Sequence, residues 1–409
     1  MRILFVHNNF PGQYRRLLRY IESNPKLGVE VNVATLQKNE QKFKAKRVFK
    51  FKPHRDATQG IHPSLIATER AVLQGHALYG AFLNSKDTSF KPDLIMSHSG
   101  WGSNMFLKDM FPDAKLLTYY EWYYHARGGD VEFLNNKRSD ANDAMRIRMK
   151  NNPILQDLAV MDHGQCPTSF QHSRLPEVFR SKVSVLHDGV DTEFFQPNPK
   201  IKVRIGEHTF SAEDEVITYV ARGMEEYRGF PEFMRMVNIL QKQRPNVHVV
   251  IVGDDRVAYG AQRKDGKSWK EAMLEELPEL DHSRIHFTGL QPLQMLKGLF
   301  QITRAHVYLT VPFVLSWSML EAMAAGALIV GSDTEPVREL INHGENGVLV
   351  PFFDVEKQAN TICHILDNKA DYEPLKQKAR ETILENYAVN DLLPKYWQLI
   401  ESVANGTKS

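Results

Sequence analysis

The feature that most constrains the fold of this chain is an alternation, run through twice, of short apolar segments with amphipathic ones. Apolar runs at residues 3–7, 29–36, 93–98, 115–121 and 183–187 predict strands, and residues 64–84 and 139–161 between them carry helical periodicity. The scheme then repeats with VITYVA from residue 216, HVVIVG from 248, RIHFTG from 284, HVYLT from 306, ALIVG from 327 and GVLV from 347. Residues 231–243 and 291–300 supply intervening helices. Strands alternating with helices imply parallel sheets wrapped on both faces. At 409 residues the chain suits two such domains better than one.

The join is expected in DTEFFQPNPKIKVRIGEHTFSAEDE, residues 191–215, where prolines and polar residues interrupt the pattern. This gives an N-terminal, acceptor-side domain over residues 1–195 and a C-terminal, donor domain over 196–387. The last helix, about residues 388–409, is expected to pack back on the first domain. Two domains of this kind, facing across a cleft, put the carboxyl ends of their strands along it, where open α/β sheets bind ligands.

Several function classes lose support at once. Two distant cysteines, Cys166 and Cys363, give neither a disulfide framework nor a zinc site and fit a reducing compartment. MRILFVHNNF opens on a strand-like run instead of a leader, and the longest apolar runs fall short of the roughly 20 residues of a membrane helix. A cytoplasmic protein is expected. Residues 1–195 hold 27 Lys and Arg against 20 Asp and Glu, much of the excess in residues 37–55, QKNEQKFKAKRVFKFKPHR. That segment reads as a solvated loop or edge hairpin, or as a basic patch (38–55) meeting an anionic acceptor or the inner face of a membrane. No motif supports nucleic acid.

Candidate chemistry lies at the strand ends. In ITYVARGMEEYRGF, Arg222 ends a strand and Arg228 precedes a helix with Pro231 in its first turn; two guanidiniums there suit phosphate oxygens. Glu321, alone among small apolar residues in MLEAMAAGALIV, has two readings. It completes a capping box with Ser318, or it accepts both hydrogen bonds of a ribose diol while the amides of Ser318, Met319 and Leu320 face a phosphate. Asp254, after HVVIVG, is a helix cap or a ligand contact. In the first half, HNNFPGQYRRL has one glycine, Gly12, followed by Gln13, so the G-x-G-x-x-G of dinucleotide binding is missing. SHSGWGSN offers His98. YYEWYYHARGGD gathers Glu121, Trp122, His125, Arg127 and Asp130, where aromatic faces beside acids suit carbohydrate. Asp-x-Asp occurs nowhere, and no essential metal or other cofactor is expected.

These segments, with SVLHDGVDTEFF, IHFTGL and above all LEAMAAGALIVGSDTEPVRELINHGENGVLV, resemble the retaining glycosyltransferases of family 4 over nearly the whole chain. The resemblance implies the GT-B architecture, two Rossmann-like doubly wound domains across a cleft. It implies transfer of a sugar from a nucleotide diphosphate sugar to a glycan or glycolipid hydroxyl with retained configuration and no metal, in a setting such as bacterial polysaccharide assembly. By this likeness Glu321 holds the donor ribose, Arg222 and Arg228 the diphosphate, and Gly12 and Gln13 lie near the donor. Gly289, Leu290, Ser316, Ser318, Met319 and Leu320 belong to the donor side. His98, with Glu121 or His125, serves the catalytic side, and Trp122, Arg127 and Asp130 the acceptor. Two departures stand out. Phe313 occupies the place of a further family glutamate, with Ser316 or nearby backbone as substitutes, and Met96 that of the first histidine of a His-x-His strand end. A nucleotide-sugar 2-epimerase and a non-catalytic sugar-nucleotide-binding subunit are the alternatives on this fold.

Overall fold

The computed structural model describes residues 1–85, 89–135 and 140–407. These divide into two compact units. One contains the residues before Val190 that form the first sheet, together with the chain from Val389 on; the other runs Val190–Ala388 and takes in a short stretch from Phe133.

The first unit is a parallel sheet of β1 (Arg2–Val6), β2 (Glu30–Leu36), β3 (Arg47–Phe51), β4 (Leu94–His98), β5 (Lys115–Tyr119), β6 (His163–Cys166) and β7 (Val183–Val185), in the order β3-β2-β1-β4-β5-β6-β7. Central strands are covered on both faces, so Ile3, Leu4, Phe5 and Val6 are all fully buried and read as an unbroken apolar run. The second unit begins with an antiparallel pair, β8 (Lys202–Ile205) and β9 (His208–Ser211). Its parallel sheet then holds β10 (Val216–Gly223), β11 (His248–Asp254), β12 (Ile285–Phe287), β13 (Ala305–Tyr308), β14 (Ile329–Ser332) and β15 (Val348–Val350), ordered β12-β11-β10-β13-β14-β15. Both sheets reverse strand order beside their first long strand, β1 and β10, which creates a crevice at the carboxyl ends.

Three expectations need correction. The basic segment is neither loop nor hairpin throughout: residues 47–51 form β3, a parallel edge strand whose Phe49 and Phe51 face the core while Val48 and Lys50 face out. The single helix expected over 139–161, whose Ser139 lies outside the described residues, is two helices, Ala141–Lys150 and Asn152–Val160. Pro153 has no N–H to give and takes the first turn of the second. β6 escapes the pattern because its side chains are polar: His163 pairs with the Ser184 hydroxyl and Gln165 donates to the Leu186 carbonyl.

The C-terminal helix Val389–Ala404 buries Leu393, Tyr396, Trp397 and Ile400 against Ile3, Phe5 and Leu17. No helix among the described residues is long and apolar enough to cross a membrane.

Candidate active site

In the second unit the site is built around a buried cation. β10 ends at Gly223, the chain makes a 3-10 turn over Glu226–Arg228, and Gly229 in the left-handed region (φ 59) starts the helix Phe230–Gln243, with Pro231 in its first turn. A Cβ on Gly229 would lie 2.5 Å from that of Leu309, so only glycine lets the turn press against the end of β13. The turn delivers Arg228 into the interior, 4% exposed. Its Nη1 donates to the hydroxyls of Tyr308 (3.1 Å) and Thr310 (2.8 Å), and its guanidinium lies 5.2 Å from the centre of the Tyr259 ring. Among the described residues no carboxylate reaches it at ion-pair distance. Its direct partners are thus neutral hydroxyls and a ring, with the charge of buried Glu225 also acting on it, and a guanidinium so placed at a strand end suits an anion.

The same Tyr308 hydroxyl accepts the amide of Ser316 at 2.7 Å, which ties Arg228 to the start of the helix Trp317–Ala324. Ser316 caps that helix, its Oγ accepting from the Ser318 amide. This corrects the capping-box reading. Ser318 is the second helical residue, so Glu321 is not three residues beyond the cap. It also corrects the expectation of free amides, because Ser318 N–H is taken by the Ser316 hydroxyl and Met319 N–H by the Ser316 carbonyl. Met319 and Leu320 are core side chains, and Glu321 is buried at 6% exposure, inside the apolar packing of its helix.

The remaining donor-side residues scatter in character. Arg222 points into solvent at the end of β10. Asp254 ends β11, half exposed and paired with Arg256 at 3.1 Å, so it caps no helix. Gly289 has φ 67 with open space around its Cβ position, its carbonyl accepting from Gly253, and Leu290 is exposed. Phe313 is 6% exposed, its ring edge-on to Tyr227 and to Tyr259, each at 5.3 Å. Where a glutamate was the family expectation, an aromatic cluster stands beside the cation.

In the first unit the ends of β1, β4 and β5 bring together a hydrogen-bonded row. The Asn9 amide donates to His7 Nδ1, so His7 carries its proton on Nε2 and donates it to Gln13 Oε1 at 2.7 Å. Burial pushes the His7 pKa down to about 3, and its ring stays neutral. Gln13 turns its amide nitrogen to His98 Nε2 at 3.3 Å, while His98 Nδ1–H donates to the Ser99 carbonyl at 2.9 Å. Glu121 Oε2 lies 3.4 Å from the same Nε2. The His98 ring stacks on Trp101, 4.0 Å apart and 12° from parallel. Gly12, φ 47, is needed here for a local reason: a Cβ would fall 2.3 Å from the His7 ring.

His98, Trp101, Glu121, Trp122, Tyr124 and Lys150 line one cavity of about 350 Å³ within this unit. The other nominated acceptor residues are elsewhere. His125 gives its Nε2 to the Arg174 carbonyl, Arg127 is exposed, and Asp130 is buried at the start of a helix. None of the three lines the cavity. Behind it Asp157, fully buried, accepts from Ser99 Oγ (2.7 Å) and the Gly100 amide (3.0 Å) with one oxygen while the other has no partner. Burial pushes its pKa up to about 7.

Sequence reasoning did not single out His7, Trp101, Asp157, Tyr259 or Tyr308. Tyr308 ends a strand and His7 directly follows one, and that position was the available signal. Asp157 and Tyr259 lie within a helix and a polar loop, and only the tertiary fold brings them in. Among the described residues no cluster of His, Cys, Asp and Glu could hold a metal ion.

Residues 28–195 match the model of the glycosyl transferase family 4 group, and residues 202–382 that of glycosyl transferases group 1. A putative glycosyltransferase, EpsD, of Bacillus subtilis is 25% identical over 198 residues, 48% of each chain, so the match spans about half the length of this relative. Among solved structures, sucrose-phosphate synthase from Thermosynechococcus elongatus superposes with a TM-score of 0.73 at 16% identity over all of both chains. Anabaena HepE in complex with UDP and glucose superposes with a TM-score of 0.66 at 14% identity, over 98% of this chain and 100% of the other. The fold is the two-domain α/β architecture of GT-B glycosyltransferases.

Proposed function

We infer that this chain, which by sequence and fold falls among glycosyltransferases of GT-B type, moves a sugar from a nucleotide diphosphate sugar to an acceptor hydroxyl with retention of configuration. The observation that carries the reading is Arg228, a buried guanidinium with hydroxyl partners and no carboxylate partner, at the carboxyl end of a parallel sheet. Such a group stabilises charge as it develops on a leaving diphosphate, in a site of low dielectric where its effect is large. In the transfer, the bond from the anomeric carbon to the β-phosphate oxygen breaks and a bond to the acceptor oxygen forms on the same face. The acceptor proton passes to the departing phosphate, so no protein nucleophile is needed. Glu321 holds the ribose, and solvent-facing Arg222 supplies a second positive charge.

The donor class of first choice is a UDP sugar, since HepE was solved with UDP and glucose. Charge compensation falls to the two arginines in place of a metal ion, so EDTA should leave turnover unchanged. The acceptor is a glycan or glycolipid entering beside His98 and Glu121, in polysaccharide assembly. The basic face around residues 38–55 offers peripheral contact with an anionic membrane at its cytoplasmic side. An epimerase would need paired carboxyls at one site, whereas Glu121 lines the cavity and Asp130 does not.

The test is to offer UDP, GDP and ADP sugars with an acceptor library and read the anomeric configuration of any product by NMR coupling constants. Inverted product removes retention. Tight donor binding without turnover on any acceptor would leave a binding subunit. An epimer formed without acceptor would make it an epimerase.

A further inference from the structure

The start of the loop after β11 is held by one carboxylate. Glu225, 1% exposed, accepts from three consecutive amides with both carboxylate oxygens: Ala258 at 3.2 Å and Tyr259 at 3.1 Å on Oε1, Tyr259 at 3.1 Å and Gly260 at 2.7 Å on Oε2. Charge-assisted bonds of this kind are roughly twice as strong as neutral ones. Two glycines make the approach possible. A Cβ on Gly260 would stand 3.0 Å from the Tyr227 ring and 3.2 Å from Glu225 Oε2, and one on Gly223 would stand 2.4 Å from the Arg256 carbonyl. Between residues 257 and 267 the other backbone hydrogen bonds, Gly266 to the Arg263 carbonyl and Lys267 to the Asp265 carboxylate, stay within the loop, while the Arg263 guanidinium lies over Trp269 and Lys267 reaches Glu275 at its far end. The clasp sets Tyr259 over the Arg228 guanidinium and edge-on to Phe313.

We propose that Glu225 is a positioning residue for anion binding: by clasping residues 258–260 it fixes Tyr259 against Arg228, so that the guanidinium presents its remaining donors in one orientation to the diphosphate. This rests on the reading of Arg228 as the diphosphate cation. Without the clasp, the loop loses its anchor, the ring leaves the guanidinium, and the cation gains rotational freedom that binding must remove. The aromatic ring contributes a neutral face that holds the cation.

The experiment compares the full chain with Glu225→Gln and Tyr259→Ala. Affinity for UDP and for inorganic pyrophosphate is read by calorimetry, and cleavage at Arg256, Arg263, Lys264 and Lys267 by limited trypsinolysis; the melting temperature checks the fold. Glu225→Gln also removes a negative charge that acts on Arg228, which alone would favour anions; weaker binding of both ligands, by about tenfold, with cleavage in this loop faster by at least about as much, therefore reports loss of the clasp, since an amide cannot accept at both positions. Tyr259→Ala should weaken both ligands similarly while the trypsin pattern stays that of the parent, because the clasp is made by backbone amides. The proposal is overturned if either folded variant binds pyrophosphate as the parent does, or if the parent binds neither ligand. Parent binding of pyrophosphate but not of UDP, GDP or ADP, weakened in both variants, would keep the clasp and discard the nucleotide-sugar reading.

Discussion

Arg228 and Ser316 share one acceptor: the Tyr308 hydroxyl takes a hydrogen bond from the guanidinium at 3.1 Å and from the Ser316 amide at 2.7 Å. A single buried oxygen thus links the cation to the cap of the helix that carries Glu321. Tyr308→Phe should cost about 1–3 kcal/mol in unfolding free energy, since two buried donors, one of them charged, lose a partner. It should also weaken UDP binding. Urea unfolding with and without UDP measures both, and a variant with parental stability and affinity would show that the shared oxygen links nothing.

Removing the charge itself separates function from stability. Arg228→Met keeps much of the volume but removes the donor to Tyr308 and Thr310 and the positive charge near Glu225, so the nucleotide-free protein should lose about 1–3 kcal/mol. Turnover should fall by about 100- to 1,000-fold. In the parent, ligand at about 100 times its Kd should add about 2.7 kcal/mol of stability, and in the variant that increment should vanish. Thermal unfolding at matched UDP concentrations reads the difference. An equal increment in both proteins would take Arg228 out of the site.

The order of elements and the strand ends were legible in the sequence because parallel strands buried on both faces spell continuous apolar runs, as VITYVA and HVVIVG do. β3, β6 and the β8–β9 pair were not, for reasons that differ: basic residues alternate through an edge strand, polar side chains fill β6, and a short hairpin sits inside a proline-bearing join. At the site, residues at strand termini could be nominated, but their partners could not. That Arg228 turns inward onto Tyr308 and Thr310, or that Gln13 bridges two imidazoles, depends on contacts between residues 80 or more positions apart. Spacing alone made Ser318 and Glu321 a capping box; the chain reaches the helix two residues earlier, through Ser316.

That correction makes two substitutions diagnostic. Ser316→Ala removes the oxygen that receives the Ser318 amide and should cost about 1 kcal/mol. Glu321→Gln leaves the cap intact and should instead reduce nucleotide affinity by about tenfold or more, as a ribose diol loses a charged acceptor. Calorimetry with UDP and with UMP, which share the ribose, reads the second. A Glu321→Gln protein with full affinity for both would return that residue to a purely structural role.

The carboxyl of Asp157 predicts a pH dependence with a definite sign. Burial raises its pKa from 3.8 to about 7, so the folded state binds its proton more tightly than the unfolded chain does. Its contribution to stability is full below pH 3.8 and is lost as pH rises through about 7, a swing of up to about 4 kcal/mol at 1.36 kcal/mol per unit. Asp157→Asn imitates the protonated form: its carbonyl oxygen can still accept from Ser99 and Gly100, and it carries no charge to desolvate. Glu232, also raised to about 7, and His7, lowered to about 3, titrate in both proteins, so they cancel in the comparison. The variant should gain on the parent between pH 5 and pH 8 in urea unfolding, and its Ser99–Gly100 turn should hold His98 in place at both. A stability difference that does not change with pH would mean that Asp157 remains ionised throughout, with its second oxygen in contact with water.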